Sequence, residues 1–242
     1  RADVGALQRD RSVPLASASI AMAASAGARP SDAQTAFIEA LVACDFKKAK
    51  QLLESSGDAI NPNYVHRGFN SGRIHVTECP YTYTHPMLTV ALQAGMDKAM
   101  SCNHLFPDPE KIKAWMSTEK EVCEVVAVLI QKGADVNMTG KETQDCESAG
   151  SPSVHGKTPL CAAVQRGSPA LVRMLLEAGA DPNHVHSYES SSWGPDDRNP
   201  LGPGVLKPES WLGSVSNGSV GRLQENDPRR PYSAEILGLL GK

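Results

Sequence analysis

Histidine and cysteine are the side chains best suited to chemistry in this chain of 242 residues, which holds seven of the first and six of the second. Their densest group is His75, Cys79 and His85, with Cys102 and His104 further along. Imidazole nitrogen and thiolate sulfur are preferred zinc ligands, but structural zinc sites present them in pairs at short, regular spacing. Here the gaps are irregular and no CxxC pair occurs. No metal is therefore expected, and ordinary loop histidines and small buried cysteines account for these residues. A Cys–His pair for covalent catalysis needs an activating signature, and none surrounds Cys79, Cys102 or Cys146. Phosphate-cradling glycine loops are missing as well. The adjacent carboxylates Asp196 and Asp197 fall in a Gly/Pro/Ser-rich stretch and read as a solvated turn. No reaction and no cofactor follow, so the chain is expected to be non-enzymatic.

Bulk composition narrows the elements that hold these residues. The apolar share is 40% and the aromatic share only 5%, so a core must be built from Leu, Val, Ala and Met. That composition suits stacked small helices better than a thick sheet sandwich. A net charge of −3 supplies no long-range attraction for nucleic acid or an anionic membrane. Nothing approaches the roughly 18 consecutive apolar residues of a membrane span. The scattered cysteines read as reduced thiols in an intracellular protein. Residues 1–30, rich in Ala, Ser and Arg, read as a flexible arm, and Asp3 and Asp10 argue against a transit peptide. The first residue, Arg1, implies a processed product or an excerpt.

The clearest unit in the chain runs from Gly156 to Asn183, GKTPLCAAVQRGSPALVRMLLEAGADPN. Thr158 is a good N-cap, and Pro159 sits where a missing N–H costs nothing. Leu160, Ala163 and Val164 fall on one face of a short helix that Gly167 stops. Leu171, Met174, Leu175 and Ala178 form the buried stripe of a second, ended by Gly179 in the left-handed conformation. Such a pair cannot bury both faces alone and must stack on neighbours.

In its Gly-x-Thr-Pro-Leu opening, Ala-rich first helix and Leu-Leu-x-x-Gly-Ala-Asp close, the segment resembles an ankyrin repeat over essentially the whole unit of about 33 residues. A second copy closes at Val128–Asn137, with its first helix upstream in Pro86–Gly95, where Leu88, Ala91 and Gly95 match Leu160, Ala163 and Gly167. A third is Thr35–Asn61, whose Lys47 and Lys48 give the polar outer face expected of a cap. A fourth opens at Asn199-Pro200-Leu201 and ends in Ile236–Lys242, which implies a protein continuing past Lys242. The resemblance implies an all-α solenoid at 31–242, with repeats at about 31–61, 84–137, 153–183 and 199–242. It also implies protein partners bound on the concave face, with no cofactor.

The repeats are stretched. Asp58 to Asp135 is 77 residues and Asp135 to Asp181 is 46, against about 33 in a regular array. Inserts are expected between paired helices at 96–120 and 202–232, with longer connections at about 62–84, 138–154 and 184–198. The first insert contains Glu110–Met116, with Ile112, Trp115 and Met116 at helical spacing, and the second reads as largely irregular. Trp115 and Trp211 serve either as partner anchors or as pins for their own loops. By the same resemblance, Val154, His155 and Lys157 map to a hairpin tip, and Gln165, Arg166, Gln93 and Ala94 to the partner-facing side of first helices. The plain alternative is that all are simply exposed. Loops of this length suit a subunit that wraps neighbours in a larger assembly. The rival is a targeting module attached to an enzyme beyond Lys242, and a metal-stabilised regulatory domain is a third reading.

Overall fold

Capping side chains and glycines cut the chain into helix pairs at the places their chemistry requires. In the computed structural model, which describes residues 30–74, 77–96, 109–144, 153–189, 205–209, 223, 225 and 227–241, the first pair is α1 (Asp32–Val42) and α2 (Phe46–Ser55). The second is α3 (Met87–Gln93) and, after the insert helix α4 (Pro109–Met116), α5 (Glu119–Gln131). The third is α6 (Pro159–Arg166) and α7 (Pro169–Glu177), and α8 (Ser233–Leu239) follows. Thr158 and Ser168 cap α6 and α7, accepting from the N–H of Cys161 at 3.5 Å and of Leu171 at 3.2 Å. Gly167, at φ 73°, ends α6 in a conformation that an L side chain resists.

The helices form two rows. α1, α3 and α6 pack side by side as the inner row, and α2, α5, α7 and α8 as the outer row. Between them lies one continuous core in which Leu53, Leu88, Leu129, Leu160, Leu171 and Leu175 are buried at 1% exposure or less. Each such leucine contributes about 1.5–3 kcal/mol of burial. The spacing of the closing turns differs from expectation in the first repeat. Asn61, not Asp58, occupies the position of Asp135 and Asp181, because its Oδ1 accepts from the N–H two residues on, as theirs do. Leu53 to Asn61 is eight residues where Leu129 to Asp135 is six. A 3-10 turn at Gly57–Ala59 takes up the surplus.

The all-α expectation needs correction. The connections between helix pairs are extended strands: β1 (Val65–Ile74), β2 (Thr77–Pro86), β3 (Gly140–Gln144), β4 (Ser153–Lys157), β5 (His186–Glu189) and β6 (Val205–Leu206). They form one antiparallel sheet in sequence order, β1-β2-β3-β4-β5-β6. Register is set by pairs such as Val65↔Pro86, Thr82↔Thr143, Glu142↔Val154 and Val154↔Tyr188. The physical reason lies in the residues themselves: Tyr81-Thr82-Tyr83-Thr84 is a run of β-branched and aromatic types that prefer a pleated surface. Val205–Leu206 pairs with β5, so this part of 202–232 belongs to a connection rather than to a helix–helix turn. The opening expected at Asn199–Leu201 lies outside the described residues, as do the arm at 1–29 and most of the second insert. Among the described residues no helix is long and apolar enough to cross a membrane.

Candidate partner-binding face

The sheet meets the inner helices at a single buried carboxylate. Glu142 on β3 accepts from Lys157 Nζ at 2.6 Å and from Gln93 Nε2 at 3.2 Å. His85 Nε2, at the end of β2, lies 3.2 Å from the same Oε1. Lys157 Nζ also donates to Gln165 Oε1 at 3.0 Å, and Gln93 Nε2 reaches that oxygen at 3.4 Å. Strands β2, β3 and β4 are thereby tied to α3 and α6. Lys157 and His85 are exposed by only 0% and 1%. Burial alone would raise the Glu142 pKa, but the Lys157 ammonium and the His85 ring overcome it and hold the carboxyl well below the usual range. Burial lowers the pKa of His85 against the opposing pull of Glu142. The group is a buried ion pair whose Oε1 gathers the Lys157 ammonium and the Gln93 amide, the kind of pairing that makes a buried charge tolerable.

An aromatic chain continues outward from this point. Tyr83 packs on His85 at 5.0 Å between centroids and on His66 of β1 at 5.8 Å, edge to face. Gly68 makes room for it: a Cβ there would sit 2.0 Å from Tyr83 Cζ. The first hairpin is fixed at its base by these contacts.

A second cation holds the insert. Arg166 donates from Nη1 to the Leu92 carbonyl at 3.0 Å and from Nη2 to the Trp115 carbonyl at 2.8 Å and to Thr118 Oγ1. Its guanidinium carbon lies 4.6 Å from the centroid of the Trp115 ring. Trp115 Nε1 donates in turn to the Ala94 carbonyl at 2.8 Å. Burial lowers the Arg166 pKa to about 10, which leaves it charged at neutral pH. Burial also pushes the Cys123 thiol up to about 11, so it is a protonated packing residue rather than a nucleophile.

The residues singled out from sequence divide accordingly. Gln93, Gln165 and Lys157 come together around Glu142. Lys157 and Arg166, expected on a partner-facing surface, are buried instead, because their charges are consumed in tying sheet to helices and insert to core. Ala94 is buried and offers its carbonyl to Trp115, which at 5% exposure pins α4 to the inner row. Val154 and His155 lie in β4, and their side chains, like Trp211, are outside the described residues. Of the histidine–cysteine group, Cys79 lies in β2 opposite Gly72, and His85 serves Glu142. His75, Cys102 and His104 are outside the described residues. Sequence reasoning missed Glu142, a lone acid beside Thr143 in the run Gly140–Gln144 that no local pattern marks as buried. Exposure along the face falls instead on Arg67, Thr82 and Lys141.

Residues 155–187 match the family model described as Ankyrin repeat. They span β4's end, α6, α7 and the start of β5, and the match brings with it a protein–protein interaction module. No curated protein matches the chain.

Proposed function

We propose that the chain is a non-enzymatic scaffold, a structural or accessory subunit that binds proteins on a concave face formed by the inner helices and the hairpin sheet. The observation that carries this reading is the Glu142 cluster. It welds three strands of the inter-repeat connections to α3 and α6, so the long insertions extend one rigid surface rather than hang from it. A rigid, broad surface binds with little ordering cost. The ankyrin-repeat match at 155–187 supports the same class of work, although a fold by itself leaves the partner open.

The test is affinity purification of the tagged full-length protein from its native cells, with co-eluting proteins quantified by mass spectrometry and cross-links mapped. A stoichiometric set of partners cross-linked to the sheet supports the subunit reading. Only substoichiometric, exchanging partners would replace it with a transient adaptor.

A further inference from the structure

The strand order leaves one long edge unused. β1 is paired with β2 along all ten of its residues, from Val65↔Pro86 to Ile74↔Thr77, without a register shift. It stands first in the sheet, and no described residue pairs with its outer side. Natural sheets block such edges with proline, a bulge, shortness or charge. The opposite edge, β6, is blunted by being two residues long. β1 has neither proline nor bulge. What it carries is Arg67, which is exposed, and Arg73, with no Asp or Glu between Val65 and Ile74. The same strand is held straight at its base by Tyr83 packed between His66 and His85.

We infer that the outer edge of β1 is a docking edge for an extended, acid-bearing segment of a partner protein, which adds as a strand antiparallel or parallel to β1. This rests on the scaffold reading above and specifies its mode. Main-chain hydrogen bonds along the edge would supply affinity, and the cationic side chains would select the partner. A second copy of this chain fits poorly, because pairing β1 with β1 sets cationic strands against each other. A strand with alternating acids meets the opposite condition. A preformed edge also spares the partner the ordering of a second strand, since a two-stranded ribbon alone is marginal in water.

The experiment uses the full chain and a synthetic, end-blocked octapeptide of alternating Val and Glu, with its Lys counterpart and a Val/Glu version N-methylated on alternate residues. The expected result is saturable binding of the Val/Glu peptide, seen by fluorescence anisotropy, with slowed amide exchange at alternate residues of β1. Binding should fall about tenfold or more in R67E/R73E and with the N-methylated peptide. N-methylation alters only the probe, so this arm stands even if the protein variant folds poorly. Equal binding of the methylated peptide, protection away from β1, or no binding at millimolar peptide would each overturn the docking edge. So would sedimentation showing a dimer that R67E/R73E dissolves. In the native-cell purification, partners retained by R67E/R73E would refute the edge while leaving the scaffold intact, whereas no partner on the unaltered chain would refute the scaffold itself.

Discussion

Glu142 is the residue on which the hairpins and the helices depend, and its partners make quantitative demands. Replacing Lys157 with Met leaves a carboxylate in the interior without its cation, which costs about 3–5 kcal/mol. Adding Glu142→Leu to that variant removes the stranded charge and should recover most of the loss. Urea unfolding followed by circular dichroism measures both; a K157M loss under about 1 kcal/mol would mean that the carboxylate is not held as described. His85 adds a pH dependence. Its folded-state pKa is lowered by burial, so the unfolded chain takes up the proton first as pH falls. Stability from the neutral ring is full above about 6.5 and declines below it. His66, lowered by burial and then by His85, acts in the same direction over the same window. Glu142 also has a lowered pKa, but its contribution starts to fade only below about 4.3. The urea midpoint should therefore drop between pH 7 and pH 5, and H85Q should flatten that slope. An unchanged slope in H85Q would remove His85 from the account.

At the scale of elements, the short insert helix α4 is held by two buried side chains of its own, Ile112 and Trp115, and by the Arg166 cation. Arg166→Met takes its donor from the buried Leu92 carbonyl, at about 1–3 kcal/mol, while the Trp115 carbonyl keeps the Thr118 hydroxyl at 2.8 Å. Trp115→Ala opens a cavity costing about 3–5 kcal/mol. Both should expose the bonds after Lys111 and Lys113 to trypsin before the rest of the domain yields, as time-resolved mass mapping would show. Cleavage elsewhere first would mean that α4 is not the element these residues secure. Gly68→Ala tests the first hairpin in the same way, since the new methyl would meet the Tyr83 ring and should raise amide exchange in β1 and β2. Helix pairs such as α6 and α7 were legible in the sequence because caps, prolines and glycines act locally. Thr158, Gly167 and the Leu171/Leu175 stripe need no distant partner to declare a helix. The sheet was illegible for the opposite reason. Its strands pair with residues far along the chain, and lengths alone suggested loose connections where Tyr81–Thr84 carried a strand pattern. The same holds for the site: Gln93 and Gln165 could be placed on first helices, but burial of Lys157 and Arg166 depends on where β3 and α4 pack.

Across the whole molecule, neighbouring repeats are coupled by one recurring device. Asn63 donates from Nδ2 to the Gly133 carbonyl at 2.9 Å and accepts from the Asp135 N–H at 2.7 Å. Asn137 repeats it one unit on, donating to the Gly179 carbonyl at 3.0 Å and accepting from the Asp181 N–H at 2.9 Å. Each bond is exposed and contributes modestly, about 0.5–1.5 kcal/mol. Their importance is positional, because a stack of repeats is stable only through its neighbour terms. Both interfaces share the continuous core, through α2 with α5 and α3 with α6, but the second is also crossed by the buried Glu142–Lys157 pair between β3 and β4. The first interface has Lys50 paired with Glu124 at 3.0 Å on the surface, a contact that salt screens. Cutting the Asn63 pair should therefore uncouple more than cutting the Asn137 pair, although the bonds are the same. N63A should broaden the urea transition and let α1 and α2 exchange their amides ahead of α6 and α7. N137A should lower the midpoint while leaving a single transition. Amide exchange resolved by segment distinguishes the two, and equal broadening in both variants would show that the buried ion pair adds nothing to cooperativity between repeats.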